Sequence, residues 1–280
     1  MRWPKLCVQI VLPLAALMIA FVPAQAAGPG GPCSGPMALL SLLDRPTVAD
    51  SACVARPGDL VIEAGYKHQT SPDPSFSRSV TYPNSLLRLG LPKNWEIDFF
   101  SPNYNRQTTA GSSGTGSGTQ TGLGDVTVGA KYEFGQVGPF VLATDFKIKV
   151  PSGARPFSTG ATDVTVNGIF SYSLPHHFGL GGQLGISALS SRLPNGQIQR
   201  YVILLPDLVL TYHLSIPLQF YGELYRASTF STGQSTYSLD GGLLYLIRPW
   251  WEVDAEADKL LQGPTDLRSH YFGLGTAFRF

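Results

Sequence analysis

The sequence predicts an all-β fold, a transmembrane antiparallel up-and-down β-barrel of about 12 strands with a short N-terminal disulfide-tied segment. Three observations predict it. Charged residues are only 14% of the 280 residues and aromatic residues reach 11%, whereas soluble domains carry about 25% charged residues. Long segments alternate between apolar and polar residues, and the connections between these segments alternate in length.

Alternation with a period of two is typical of strands whose two faces meet different surroundings. It runs through segments 124–134, 140–150, 163–174 and 250–259. The apolar face of 163–174 consists of Val164, Val166, Gly168, Phe170, Tyr172 and Leu174. Such segments are about ten to thirteen residues long, which suits tilted membrane strands, whereas the strands of a soluble sandwich average about five to six residues. The pattern therefore favours a membrane barrel over a sandwich.

The connections between the predicted strands follow a rule. About twelve strands are predicted, at 59–69, 82–91, 94–103, 124–134, 138–150, 163–174, 177–189, 201–213, 216–228, 235–247, 249–260 and 267–280. Long connections, at 70–81, 104–123, 151–162, 190–200, 229–234 and 261–266, alternate with short ones, at 92–93, 135–137, 175–176, 214–215 and 248. Outer-membrane barrels have an even strand number, short periplasmic turns and longer extracellular loops. We therefore expect the glycine-rich connection around Ser113 and Gly114 to face the cell exterior.

Two features indicate partners of the predicted barrel. Aromatic residues gather near the ends with short connections, among them Trp95, Trp250 and Trp251. Amphipathic rings prefer the headgroup level of a membrane, so outer-membrane lipid is one expected partner. The last segment ends on Phe280, an arrangement that resembles the assembly signal of outer-membrane proteins. The barrel-assembly machinery is therefore a second expected partner.

Residues 1–26 are predicted to be a signal peptide. A positively charged start and an apolar stretch precede Ala24-Gln25-Ala26, which fits the small-residue cleavage pattern, with cleavage after Ala26. No later run approaches the ~20 apolar residues that a membrane-spanning helix needs. We expect localisation in the outer membrane of a Gram-negative bacterium, after export by a cleaved N-terminal signal peptide.

Residues 27–57 differ in composition from the barrel, which is predicted to span 58–280. Cys33 and Cys53 form an even pair that we expect to be oxidised in an exported protein. A disulfide between them would close a loop of about twenty residues and contribute roughly 3 kcal/mol. The segment could lie in the lumen as a plug, lie at the periplasmic rim, or be a tethered extension. The sequence leaves these three arrangements open.

The polar faces of the predicted strands should line the interior. The residues predicted to line the lumen and set selectivity are Glu252, Asp254, Glu256, Asp258, Asp145, Lys147, Lys149, Glu96, Asp98 and Arg88. An acidic wall would favour cations or neutral polar solutes over anions. In the alternative, acids and bases of neighbouring strands pair across a narrow lumen and seal it, because open porins usually have ~16–18 strands.

Other classes of function find little support in the sequence. The net charge of +1 argues against a nucleic-acid partner. The stretch His213-Leu214-Ser215 has the spacing of the His-x-Ser pair of outer-membrane phospholipases, but it falls in a short turn at the predicted periplasmic end. His176 and His177 have no further ligands nearby. We therefore expect no enzymatic activity, no catalytic residues, no metal site and no cofactor.

Several passages resemble one family. They are RPTVADSAC (Arg45–Cys53), VIEAGY (Val61–Tyr66), TGLGDVTVGAKYEF (Thr121–Phe134), KVPSG (Lys149–Gly153) and TDVTVNGIFSYSL (Thr162–Leu174). Together they are similar to the outer-membrane transporters associated with the meta-cleavage (MetA) pathway of phenol degradation. The resemblance implies an outer-membrane β-barrel that passes aromatic or other small hydrophobic compounds, and it brings no catalytic residues with it.

These observations support three functional hypotheses. The first is a porin-like barrel for the passive passage of small-molecule solutes, with aromatic or hydrophobic compounds as candidates. The second is a sealed barrel with a structural, adhesive or assembly role that depends on its extracellular loops. The third and least supported is an outer-membrane lipid-modifying enzyme. Conductance in planar bilayers distinguishes the first hypothesis from the second.

Overall fold

A computed structural model describes residues 32–280, except 36, 72–77, 110–117, 194, 216, 231 and 264–268. The predicted signal peptide, 1–26, lies outside the described residues, and so does the tip of the glycine-rich connection. Among the described residues, no helix has the length and the apolar composition needed to cross a membrane.

The described chain forms a closed antiparallel barrel of twelve strands, as the sequence predicts. Fifteen strand segments build it: β1 (Leu60–Thr70), β2 (Arg78–Tyr82), β3 (Leu86–Leu91), β4 (Trp95–Phe100), β5 (Tyr104–Thr109), β6 (Gly118–Leu123), β7 (Val126–Val137), β8 (Phe140–Val150), β9 (Asp163–Ser173), β10 (Phe178–Arg192), β11 (Ile198–Ser215), β12 (Leu218–Thr229), β13 (Ser235–Arg248), β14 (Trp251–Gln262) and β15 (His270–Arg279). A 3₁₀ turn, Arg155–Phe157, follows β8, and one helix, α1 (Ala38–Leu42), precedes β1.

Three neighbouring barrel strands are each interrupted once, so that β2 continues as β3, β4 as β5, and β6 as β7. The interruptions lie side by side, because Ser101 N–H donates to the Ser85 carbonyl at 3.1 Å and Gly124 N–H donates to the Asn103 carbonyl at 2.8 Å. Pro83 lies at the first interruption, where it has no N–H to offer the sheet.

The predicted long connection at 104–123 is wrong in extent, because β5 and β6 lie inside it and pair from Tyr104 with Leu123 to Thr109 with Gly118. Both segments consist mainly of Thr, Gln, Gly and Asn, without an alternating apolar face. A strand without a face that meets lipid has no reason to alternate, and the pattern that revealed the other strands is therefore missing here.

The barrel closes between its first and last strands. β1 pairs antiparallel with β15 from Val61 with Arg279 to Thr70 with His270, so the wall closes on itself. The short connections, 92–94, 138–139, 174–177, 216–217 and 249–250, lie at the same end as Leu60 and Phe280. The longer connections lie at the opposite end, which confirms the predicted alternation of connection lengths. We call these the short-turn end and the long-loop end.

The two faces of the wall differ as the alternation predicts. Ile97 and Phe99 of β4 are 49% and 41% exposed on the outer face. Glu96, the residue before Ile97, points inwards and is 0% exposed. Rings cluster on the outer face near the short-turn end, with centroids 4.8 Å apart for Trp95 and Tyr132 and 4.7 Å apart for Phe178 and Tyr212. An apolar band bordered by aromatic rings is what a lipid bilayer requires of a barrel.

The N-terminal segment, described from residue 32, lies inside the barrel. Helix α1 buries Leu39, Leu40 and Leu42 against wall residues that include Val61, Val209, Tyr221, Leu244 and Leu246. The predicted disulfide between Cys33 and Cys53 is present, and it joins the start of the segment to its end. Of the three arrangements that the sequence leaves open, the contacts of the described residues match the one inside the lumen.

Candidate channel interior

A buried cluster of charges fixes the N-terminal segment to one side of the wall. We call Arg88, Lys131, Asp44, Glu63 and Glu96 the anchor cluster. Arg88 on β3 forms ion pairs with Glu96 at 2.8 Å and with Glu63 at 3.2 Å, and Lys131 on β7 pairs with Asp44 of the segment at 2.8 Å. The side chains of Arg88, Lys131, Glu63 and Glu96 are 0% exposed. These four side chains of the anchor cluster are therefore closed off from water.

Arg88 also binds the segment through its backbone. Its guanidinium donates to the carbonyl of Leu42 and to that of Cys53 at 3.1 Å, so one side chain holds both the end of α1 and the second disulfide cysteine. A planar guanidinium with five donors suits several acceptors at once. The segment is thereby fixed at two points that are distant in its own sequence.

Wall carboxylates accept the N–H groups that the irregular segment leaves unpaired. Glu63 accepts from Arg45 N–H at 2.8 Å, and Glu96 accepts from Ala55 N–H at 2.6 Å. On the opposite wall, Glu223 accepts from Ala49 N–H at 2.7 Å. Irregular backbone at membrane depth needs such internal partners, because no lipid can supply them.

The inner face of β14 carries four carboxylates, which we call the acidic stripe: Glu252, Asp254, Glu256 and Asp258. Arg45 of the segment contacts two of them. Arg45 pairs with Asp254 and with Glu256, each at 3.3 Å. Its guanidinium lies over Gly65 of β1 and Gly275 of β15, where a Cβ atom would clash with it; the two glycines are paired across the closing strands. Of the other two carboxylates, Asp258 accepts from the Tyr225 hydroxyl at 2.8 Å.

A second, less buried polar network lies on the β8 and β9 side. Lys147 contacts Asp50 of the segment at 2.5 Å and Asp145 of its own strand at 3.6 Å. The amide of Asn167 donates to Asp50 at 3.1 Å and to Asp145 at 3.0 Å. Burial acts to raise the pKa of Asp50, but the Lys147 ammonium outweighs it, and the pKa of this carboxyl is lowered. Asp50 and Lys147 therefore form a charged pair.

Three cavities inside the barrel are bordered by described residues. The central cavity, about 100 Å³, is bordered by Ser41 and Asp50 of the segment and by Gly181 and Thr211 of the wall. The short-turn cavity, about 320 Å³, shares Ser41, Ser171, Gly179, Thr211 and His213 with the central one and reaches His177 in a short turn. The two are therefore continuous.

The long-loop cavity, about 270 Å³, lies nearer the opposite end. It is bordered by Phe100, Thr127, Lys147, Lys149, Asp163, Thr165 and Leu189. Lys149 pairs with Asp163 at 2.6 Å within it. Strands β8 to β11 contribute most of the wall residues that border the three cavities. Phe100 of β4 and Thr127 of β7 also border the long-loop cavity.

The structure divides the ten residues predicted to line the lumen into two groups. Eight have buried side chains inside the barrel: Arg88, Glu96, Asp98, Asp145, Glu252, Asp254, Glu256 and Asp258. Only Lys147 and Lys149 border one of the three cavities. Their effect on selectivity stays a prediction. Among the described residues, no three His, Cys, Asp or Glu side chains are grouped so as to hold a metal ion.

Three interior residues of the segment were not singled out by the sequence analysis, Asp44, Arg45 and Asp50, and His213 was assigned to a turn. The three lie in a stretch without periodicity, so no face could be assigned to them. A usable signal was present, because four charged residues are all that 27–57 contains and three of them, Asp44, Arg45 and Asp50, stand close together. His213 belongs to β11, which extends to Ser215, and it borders the two continuous cavities.

The chain was compared with known proteins. A family model described as "Putative MetA-pathway of phenol degradation" matches residues 43–280, which is most of the chain, so the match shows the family. No curated protein matches the chain.

Several solved structures share the fold. An outer membrane channel from Pseudomonas putida F1 is 11% identical, with 84% of this chain and 100% of that chain covered and a TM-score of 0.69. The NanC porin is 15% identical, with 78% and 98% covered and a TM-score of 0.54. The transport unit of the autotransporter AIDA-I from Escherichia coli is 10% identical, with 87% and 96% covered and a TM-score of 0.55. Identities this low show the fold alone.

Proposed function

The chain belongs to the MetA-pathway family of phenol degradation, and we propose on this premise that it is an outer-membrane β-barrel for the passive passage of small molecules. The fold is shared with an outer membrane channel and a porin, which supports this location and this class of function. The exposed apolar outer face with its aromatic rings supports direct contact with membrane lipid.

The observation that carries the proposal is the uneven filling of the barrel. The N-terminal segment makes dry contacts with β3, β4 and β7 through the anchor cluster, whose wall side chains are 0% exposed. Strands β8 to β11, by contrast, contribute most of the wall residues that border the three cavities, with Phe100 of β4 and Thr127 of β7 completing the border of the long-loop cavity. A solute route along β8 to β11 needs no displacement of the anchor cluster.

The chemistry of the central cavity supports small, partly apolar solutes. Leu40, Leu43 and Leu244 present apolar surface to it, while Ser41 and Thr211 present hydroxyl groups. Arg45, Asp50 and Gln219 add charged and amide groups to the lining. A lining that mixes apolar and polar groups suits a small solute with an apolar ring and a polar substituent. Together with the family description, this supports aromatic compounds as the solutes.

The ten predicted lumen residues would act on solutes in different ways. Lys147 and Lys149 border the long-loop cavity and would contact solutes directly. Asp254 and Glu256 pair with Arg45 and would act by holding the segment in place. We assign no catalytic role to any of the ten, nor to His213.

Permeation through the purified protein in liposomes tests the proposal, with osmotic swelling as the measurement. Gly181→Phe adds a ring that points into the central cavity, where an added Cβ meets only ordinary contacts. We expect this variant to slow the entry of small solutes several-fold. Gly222→Phe is the matched control, because Gly222 is exposed on the outer face of β12 and has open space around it.

The wild-type protein should make liposomes swell faster than protein-free liposomes do, and Gly222→Phe should behave like the wild type. The proposal is wrong if the wild-type protein gives neither swelling nor conductance in planar bilayers and a deletion strain shows no uptake defect. Equal permeation by the Gly181→Phe variant would place the route elsewhere in the barrel.

One observation favours the alternative of a sealed barrel. The segment contacts both sides of the wall, through Glu63 and Glu96 on one side and Glu223 on the other. A barrel closed in this way would leave only its long-loop end for structural, adhesive or assembly roles. The swelling and conductance measurements distinguish this alternative as well, because a sealed barrel gives neither.

A further inference from the structure

The three cavities fall into two groups according to the residues that border them. The central and short-turn cavities share five bordering residues, whereas the long-loop cavity shares none with either of them. Asp50 borders the central cavity and Lys147 borders the long-loop cavity. These two side chains touch each other at 2.5 Å. The contact between Asp50 of the segment and Lys147 of the wall therefore lies between the central cavity and the long-loop cavity.

We infer that the Asp50–Lys147 ion pair is the partition of the passage, which a solute crosses only when the pair opens; this rests on the proposed function. We call it the partition contact. It joins a residue of the N-terminal segment to a residue of the wall, so its opening requires no rearrangement of the barrel strands.

The exposure of the partition contact separates it from the anchor cluster. The Lys147 and Asp50 side chains are 15% and 10% exposed, whereas Arg88 and Glu63 are both 0% exposed. Parting a buried ion pair leaves uncompensated charge, while parting a pair that water reaches costs far less. The third ionic connection of the segment, Arg45 with Asp254 and Glu256, has carboxylates that are only 1% and 4% exposed. Of the three ionic connections between the described segment and the wall, the partition contact is therefore the most exposed and the one that opens at the lowest cost.

Each partner keeps another polar contact when the pair opens. Lys147 retains Asp145 at 3.6 Å, and Asp50 retains the Asn167 amide at 3.1 Å. Lys149 and Asp163, which border the same cavity as Lys147, pair with each other at 2.6 Å. Lys131 and Asp44 of the anchor cluster also interact electrostatically with Asp50 and Lys147, respectively. Neither ion is left without compensation in the open state, which lowers the cost of opening. A solute with a hydrogen-bond acceptor can also replace Asp50 at the Lys147 ammonium.

Access of a thiol reagent from one side of the membrane tests the partition contact. Thr165→Cys places a thiol in the long-loop cavity, and Ser171→Cys places one in the two continuous cavities. Cys33 and Cys53 are joined in the disulfide, and Cys7 belongs to the predicted signal peptide. We therefore expect the introduced thiol to be the one that reacts, and the protein without an introduced cysteine measures any other labelling. Each variant is expressed in a porin-deficient host, and a membrane-impermeant maleimide is added outside intact cells.

We expect Thr165→Cys to react in every background. Ser171→Cys should react slowly with the partition contact intact, and at least tenfold faster when Lys147→Met or Asp50→Asn is added. The charge-exchanged pair Asp50→Lys with Lys147→Asp should restore slow labelling. Lys259→Met is the matched control, since Lys259 is exposed on the outer face of β14, and it should leave the labelling of Ser171→Cys unchanged.

The inference is overturned if Ser171→Cys reacts equally fast with and without Lys147→Met, or remains slow in all backgrounds. The swelling assay on the same variants keeps the two proposals apart. A wild-type protein that passes solutes at the rate of the Lys147→Met variant would refute the partition contact alone. A barrel that passes no solute in any variant would refute the proposed function together with it.

Discussion

At the scale of single residues, the interior depends on charged side chains that lie out of reach of water. Arg88 contacts two carboxylates of the wall and two carbonyls of the N-terminal segment. Burying a charge is costly unless its partners compensate it, and removing one partner leaves the others uncompensated. Arg88 is therefore the residue whose loss should disturb both the wall and the segment.

The variant Arg88→Met should lose roughly 3–5 kcal/mol of the free energy of unfolding, because Glu63 and Glu96 would remain buried without their cation. Unfolding in urea, followed by tryptophan fluorescence of the lipid-reconstituted protein, measures this loss. Arg248→Met is the control, since Arg248 is exposed at the end of β13 and should change the free energy by less than about 0.5 kcal/mol. Equal stability of the two variants would contradict the role of Arg88.

At the scale of elements, the N-terminal segment and strand β14 work together. The segment has one short helix and otherwise irregular backbone, so its position depends on side chains of the wall. The acidic stripe of β14 supplies two of them to Arg45, and paired glycines of β1 and β15 leave room for the guanidinium. The stripe borders none of the three cavities described above.

We expect a β14 variant with Glu252→Gln, Asp254→Asn, Glu256→Gln and Asp258→Asn to lower stability, because Arg45 would be buried without a carboxylate. Its reversal potential in a KCl gradient should remain close to that of the wild type. Lys149→Met is the comparison, because Lys149 borders the long-loop cavity, and its loss should shift the reversal potential towards cation preference. A large shift in the β14 variant would mean that the stripe lines the route.

At the scale of the whole molecule, the barrel has two different ends and two different sides. The short and long connections define the ends. The sides differ, because the anchor cluster holds the segment to β3 and β7, whereas most wall residues that border the cavities belong to β8 to β11. The proposed route therefore leaves the anchor cluster in place.

The orientation in the membrane follows from the two ends and can be tested by labelling. Thr232→Cys lies in a connection at the long-loop end, and Pro139→Cys lies in a short turn; both positions are exposed. We expect a bulky impermeant maleimide to label Thr232→Cys in intact cells and Pro139→Cys only after the outer membrane is permeabilised. The reverse pattern would mean that the barrel has the opposite orientation.

The sequence predicts a part of the structure well where the apolar and polar residues of that part alternate regularly. β9 and β14 were predicted to within a few residues, because their alternation is set by lipid on one side and the polar interior on the other. β5 and β6 were missed, because they have no apolar face to reveal them. Arg45 and Asp50 could not be assigned a place, because irregular backbone gives no periodic signal from which a direction can be read.

The sequence by itself determined the closed barrel, its twelve strands, the alternation of its connections and the cysteine pair, because each of these is local or repeats along the chain. Only the tertiary structure decided what fills the lumen. The contacts of Arg88 with Cys53 and of Lys147 with Asp50 join residues far apart in sequence. Such contacts depend on where closure of the barrel brings the inner faces of its strands around the segment, and no pattern within a single strand specifies that.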